Sequence, residues 1–128
     1  MTPVEFRRHL HRHPELSFRE TESARFIAEA LREAGIPCRP IAGTGVLAKI
    51  EGRGDLRRAV VLRADIDALP IREQSGAAWS SENDGVMHAC GHDIHAAVLY
   101  GTLLRLSAER NFEGTLFGIF QPGEESNP

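Results

Sequence analysis

The sequence predicts an α/β fold, and three observations carry that prediction. Residues 59–64 and 115–120 are short, apolar and partly β-branched, as strands are, while the 92–109 segment between them spaces its apolar residues with helical periodicity. A strand, a helix and a strand in that order form a unit whose connection is expected to be right-handed, with both strands parallel in one sheet. Polar clusters at 65–67, 88–95 and 124–125 then gather beyond the carboxyl ends of the strands, where open α/β sheets bind ligands.

Each element has its own local signal. Thr2, Pro3 and Glu5 read as a helix start, with a hydroxyl cap, a proline in the first turn and a carboxylate three residues on, so a first helix should run to about His13. Pro14 disfavours helical geometry in the residue before it. From Thr21 to Ala34 a second helix places Ala24, Ile27, Ala28 and Leu31 along one face, and Gly35 should close it in a left-handed cap. Val46–Ile50 and Ala59–Leu62 read as strands that form a hairpin across Gly52-Arg53-Gly54-Asp55. Ser75–Asp84 is polar and irregular. The third helix, His92–Glu109, carries Ile94, Val98, Leu103, Leu104 and Leu106, and the strand Thr115–Phe120 stops at Gln121-Pro122-Gly123.

Composition narrows the function classes. A chain of 128 residues is expected to form one domain over 1–128. Its 15 basic and 18 acidic residues are interspersed, with a net charge of −3, and leave no basic stripe for nucleic acid. No run approaches the roughly 18 apolar residues of a membrane span. Only Cys38 and Cys90 are present, and the first residues lack the apolar core of a secretion signal, so a reducing cytoplasm is the expected compartment.

Chemistry concentrates in three places. The segment His88-Ala89-Cys90-Gly91-His92-Asp93-Ile94-His95 packs three imidazoles, a thiol and a carboxylate into the start of a helix. Thiolate and neutral imidazole are preferred zinc ligands, a helix amino terminus favours the thiolate, and Cys90 and His92 can hold one metal together. The plainer reading makes these residues a helix cap with a buried thiol, and a cysteine nucleophile is a third reading that lacks an assignable histidine partner. Glu124 and Glu125 follow a strand directly; one can ligate metal while the other serves as general base, although such a pair by itself is usually a solvated loop. Asp65 and Asp67 close another strand, where Asp65 either steadies a ligating histidine or forms a structural pair with arginine. His9 and His13 share a helical face that reads as surface, not as a ligand pair.

Taken together, Arg8-His9-Leu10-His11-Arg12-His13-Pro14-Glu15-Leu16, Arg63-Ala64-Asp65-Ile66-Asp67-Ala68-Leu69-Pro70, His88-Ala89-Cys90-Gly91-His92-Asp93 and Phe120-Gln121-Pro122-Gly123-Glu124-Glu125 resemble the metallo-amidohydrolases. That family includes hippurate hydrolase, bacterial N-acyl-amino-acid amidohydrolases and plant auxin-conjugate hydrolases. The resemblance implies a zinc-peptidase-like three-layer catalytic domain with a mixed, largely parallel sheet. It implies two divalent metal ions, zinc or manganese with cobalt or nickel as alternatives. Carried over, Cys90, His92 and Glu125 are metal ligands, Glu124 is the general base and Asp65 the supporting aspartate.

Two positions depart from the family pattern, Gly123 where alanine is usual and Ile94 where glycine is common. Members also have two later histidine ligands and a dimerisation insert, both absent before Pro128, so 1–128 is expected to be an incomplete, inactive amino-terminal portion of a homo-oligomeric enzyme. The expected reaction is hydrolysis of amide bonds in N-acyl amino acids or small peptides. The alternative is a catalytically silent metal-binding or interaction module derived from the same family.

Overall fold

The structure, a computed structural model, describes residues 1–126; Asn127 and Pro128, where the sequence ends, lie outside the described residues. Helices α1 (Pro3–Arg12) and α2 (Thr21–Glu33) precede strands β1 (Cys38–Ile41), β2 (Gly45–Glu51) and β3 (Ala59–Asp65). Helix α3 (His92–Glu109), strand β4 (Thr115–Gln121) and one 3-10 turn (Glu124–Ser126) follow.

The helix ends form as their residues dictate. Thr2 and Glu5 make a reciprocal capping box, with the Glu5 N–H donating to Thr2 Oγ1 at 3.2 Å and the Thr2 N–H donating to Glu5 Oε2 at 2.8 Å. At the end of α2, Gly35 takes a φ of +74°, which lets the Ile36 N–H reach the Leu31 carbonyl and the Gly35 N–H reach that of Arg32, both at 2.9 Å. This is a Schellman closure, with Leu31 and Ile36 both buried beside it.

The sheet is mixed, in the order β1-β2-β4-β3. β3 and β4 are parallel, as the strand–helix–strand unit predicts, and the β1–β2 and β2–β4 pairs are antiparallel. The expected hairpin between β2 and β3 does not form, because β4 lies between them. Backbone pairing explains why: the Gly52 N–H donates to the Gly114 carbonyl and the Arg53 N–H to that of Phe112, both at 2.8 Å, so the end of β2 stays on the approach to β4. A side chain at Gly52 would collide with Phe112 and one at Gly114 with the Arg58 backbone. Strand β1, which pairs with β2 across Ala42-Gly43-Thr44, had no signal in the sequence because Pro40 sits inside it; as an edge strand it tolerates that proline.

Val46, Ala48 and Ile50 of β2 and Leu116 and Phe120 of β4 turn one face of the sheet toward Phe6, Leu10, Ile27, Leu31 and Leu103 of the helices. The described residues therefore supply a helical layer and a sheet layer. On α3 the buried face is Ala96, Leu99, Tyr100 and Leu103, whereas Ile94 and Val98, which carried the helical spacing in the sequence, are 49% and 63% exposed. This helix is apolar around most of its girth, so spacing alone does not choose its inner face.

Candidate metal centre

Parallel pairing of β3 with β4 sets Asp65 opposite Gln121, and the Ile66 N–H donates to the Gln121 carbonyl at 3.1 Å. Two strand ends thus deliver Asp65 and Asp67 beside Glu124 and Glu125. Helix α3 starts at the same edge, with Gly91 as its N-cap at a left-handed φ of +98°. The three polar clusters converge, as the fold argument expects.

His92 is at the centre and is buried. Its Nδ1 lies 2.9 Å from Asp67 Oδ1 and 3.0 Å from the Asp67 carbonyl oxygen. Two acceptors at Nδ1 hold a ring proton there, which makes Nε2 the nitrogen available to a metal. Around Nε2 stand Asp65 Oδ2 and Glu125 Oε1, each at 3.5 Å, and Glu124 Oε2 at 3.6 Å. Glu125 Oε1 is buried and has no hydrogen-bond partner.

Among the described residues, two sets of three side chains bring ligand atoms within 4.8 Å of one another: Cys90, His92 and Glu125, and Asp65, His92 and His95. The carboxylate that holds the His92 ring by Nδ1 is that of Asp67, while Asp65 reaches His95, whose Nδ1 is 2.7 Å from Asp65 Oδ1. Asp67 is almost wholly buried and has two further partners on Oδ2, the Ser17 hydroxyl at 2.7 Å and the Glu125 N–H at 2.8 Å. Sequence reasoning missed Asp67 in this role. The Asp-x-Asp spacing offered both residues, and β3 ends at Asp65, so strand alternation no longer tells which carboxylate turns inward.

Electrostatics sharpen the picture. A hydrogen bond to Glu125, burial, and the charges of Glu125, Glu124 and Asp65 together push the exposed Cys90 thiol up. The expected thiolate preference at the helix start is therefore overridden by these carboxylates. Burial opposes ionisation of Asp65, but the His95 hydrogen bond and nearby His92 outweigh it and hold its carboxyl below the ordinary range. Three carboxylates facing one imidazole lone pair beside a thiol, with a buried oxygen left unsatisfied, form a donor set suited to a divalent transition metal.

The remaining candidates lie elsewhere. His9 stacks on Phe26 with ring centroids 3.8 Å apart and lies 4.7 Å from the His13 ring, on the surface face that the sequence suggested. Cys38 and Cys90 are both free thiols. His11, between these surface histidines in sequence, is buried, with Nδ1 at 2.8 Å from Asp93 Oδ2 and Nε2 at 3.0 Å from Glu73 Oε2. Arg7 also donates to Asp93 Oδ2, at 2.7 Å. Nothing in the local sequence distinguishes His11 from His9, because the partners of His11 are more than 60 residues away.

Comparison with known proteins gives the family. A sequence model of peptidase family M20/M25/M40 matches residues 61–128, slightly more than half the chain. The chain belongs to this family. Over 96% of its length it is 47% identical to an N-acetyl-L-cysteine deacetylase of Bacillus subtilis, of which it covers 30%. Over 98% of its length it is 44% identical to an N-acyl-L-amino acid amidohydrolase of Geobacillus stearothermophilus, of which it covers 34%. The chain spans about a third of the length of these curated relatives. In fold it is similar to a dinuclear metal-binding peptidase of the M20 family from Bacillus subtilis, with a TM-score of 0.92 and 47% identity over 96% of this chain and 35% of that one.

Proposed function

We propose that this protein hydrolyses the amide bond of N-acyl amino acids or small peptides at a centre of two divalent metal ions. The observation that carries the proposal is the convergence of Asp65, Glu124 and Glu125 on the free nitrogen of His92, with Cys90 beside them. Cys90, His92 and Glu125 would hold metal, zinc or manganese by donor chemistry, with cobalt or nickel compatible. Bound metal would polarise the substrate carbonyl and acidify water.

The chain's own groups divide the remaining work. Glu124 accepts a proton from the attacking water and returns it to the leaving nitrogen. Its side chain is the more exposed of the glutamate pair, so it can face incoming substrate while Glu125 stays deeper. Asp67 keeps the His92 lone pair aimed at the centre, and Asp65 supports it through His95. A catalytic metal takes about three protein ligands, and Cys90, His92 and Glu125 make up one such set. By its resemblance to the family, the working enzyme would be a homo-oligomer in the cytoplasm.

The test is spectroscopic, which makes it independent of turnover. Cobalt-loaded protein should change its visible absorption when a hydroxamate analogue of an N-acyl amino acid is added. A spectrum unmoved by any member of an N-acyl amino acid hydroxamate panel would contradict the substrate assignment.

One observation favours a second reading, a catalytically silent interaction module. Among the described residues β3 is an edge strand, and its Val60 and Val61 are 60% and 55% exposed, a surface suited to pairing with another chain. Metal binding without any response to substrate analogues would favour it.

A further inference from the structure

Glu20 is fully buried but belongs to neither candidate ligand set. It occupies the N-cap position of α2 without capping that helix through its side chain. Glu15 performs the task instead, accepting from the Ser23 N–H at 2.6 Å and the Glu22 N–H at 3.2 Å. The Glu20 carboxyl turns the other way. Its Oε2 accepts the Gly123 N–H at 2.9 Å across 103 residues of sequence, while its Oε1 is buried with no partner.

Gly123 is the last residue before Glu124 and Glu125, and its φ is +69°. A Cβ there would collide with the ring of Phe18, which itself holds a φ of +60° two residues before Glu20. The 18–20 segment therefore grips Gly123 twice, by ring packing and by a hydrogen bond. Two residues later the Glu125 N–H donates to Asp67 Oδ2 at 2.8 Å. The backbone that carries the glutamate pair thus hangs between two buried carboxyls, Glu20 before it and Asp67 after it.

We propose that Glu20 is a positioning residue for the metal centre, fixing the Gly123 backbone so that Glu124 and Glu125 project toward His92. The inference rests on the roles proposed above for that pair. An apolar residue at this position would leave the buried Gly123 N–H without an acceptor, whereas glutamine has the same shape and keeps a carbonyl oxygen to receive it. Burial pushes the Glu20 carboxyl up, in keeping with a group that serves as acceptor and not as surface charge.

The experiment compares wild type, Glu20→Gln, Glu20→Ala and Glu20→Asp, with Ile27→Ala as a control that loosens α2 without touching Gly123. Amide exchange and chemical shifts at Gly123, Glu124 and Glu125 are read by NMR in metal-free protein, and zinc affinity by competition with a chelator. Glu20→Ala and Glu20→Asp should speed Gly123 exchange and weaken zinc about tenfold, the scale of losing an outer-shell partner. Glu20→Gln should stay within about threefold of wild type on that same scale, as should zinc affinity in folded Ile27→Ala. Unchanged Gly123 amides in Glu20→Ala or Glu20→Asp, or equal losses in Ile27→Ala, would overturn the inference. If Glu20→Ala does not fold, the aspartate and glutamine variants decide. Wild-type protein that takes up no zinc would count against the proposed function alone, and the metal-free amide signals would still decide the role of Glu20.

Discussion

Asp67 Oδ1 lies 2.9 Å from His92 Nδ1, and the Asp67 backbone oxygen lies 3.0 Å from that same nitrogen. The ring can neither flip nor change tautomer without losing both contacts, so its other nitrogen stays aimed at three carboxylates. Removing the Asp67 side chain should lower zinc affinity by about 10- to 100-fold. Chelator competition on Asp67→Ala checks this, with circular dichroism to confirm that the fold is retained.

Cys90 should alkylate slowly in metal-free protein. Its thiol is pushed up by the Glu125 hydrogen bond first, then by burial and the surrounding carboxylate charges. A higher pKa means less thiolate at pH 8, and Glu125→Gln should speed iodoacetamide labelling of Cys90 by removing a negative charge. Cys38, also raised, but by burial, gives the internal reference. Added zinc should protect Cys90 and leave Cys38 unchanged.

Acid should destabilise the metal-free fold in two limbs. Burial holds the His88 imidazole down at about 4 against an ordinary 6.5, so between those values the unfolded chain binds more protons and stability falls as pH drops. For Glu73, burial raises the carboxyl but hydrogen bonds from Ser75, His11 and Ser81 outweigh it and bring it to about 2 from 4.5. Its contribution is present above 4.5 and lost as pH falls toward about 2. Urea midpoints between pH 7 and 3 should show both limbs, the first missing in His88→Gln and the second in Glu73→Gln.

Leu103→Ala should cost about 2–5 kcal/mol of folding stability. Leu103 is fully buried where α3 meets the sheet, and its methyl groups fill the space a Cβ at Gly118 would take. Thr2→Ala should cost only about 1 kcal/mol, because it removes one exposed capping bond. Chemical denaturation separates the two.

Legibility in the sequence followed the range of the interactions. The capping box at Thr2 and Glu5, the Gly35 closure and the bounds of α3 are local, and they were readable from a few adjacent residues. The position of β4 between β2 and β3 depends on bonds from Gly52 and Arg53 to residues some 60 positions on, and no local pattern encodes it. In the site, Cys90, His92 and the glutamate pair were conspicuous because their residue types are rare at such density. Asp67, Glu20 and His11 were not. Their burial and partners arise only when distant segments meet: Glu20 and His11 read as ordinary polar residues, and Asp67 stood in a carboxylate pair whose roles local sequence does not divide.

Metal content of purified protein tests most directly whether Cys90, His92 and Glu125 form a metal-binding set. After incubation with zinc and removal of excess, wild type should retain metal by elemental analysis, and the Cys90→Ala, His92→Ala double variant should retain almost none while keeping its fold. Wild type that retains no metal, or a double variant that retains as much as wild type, would contradict the account.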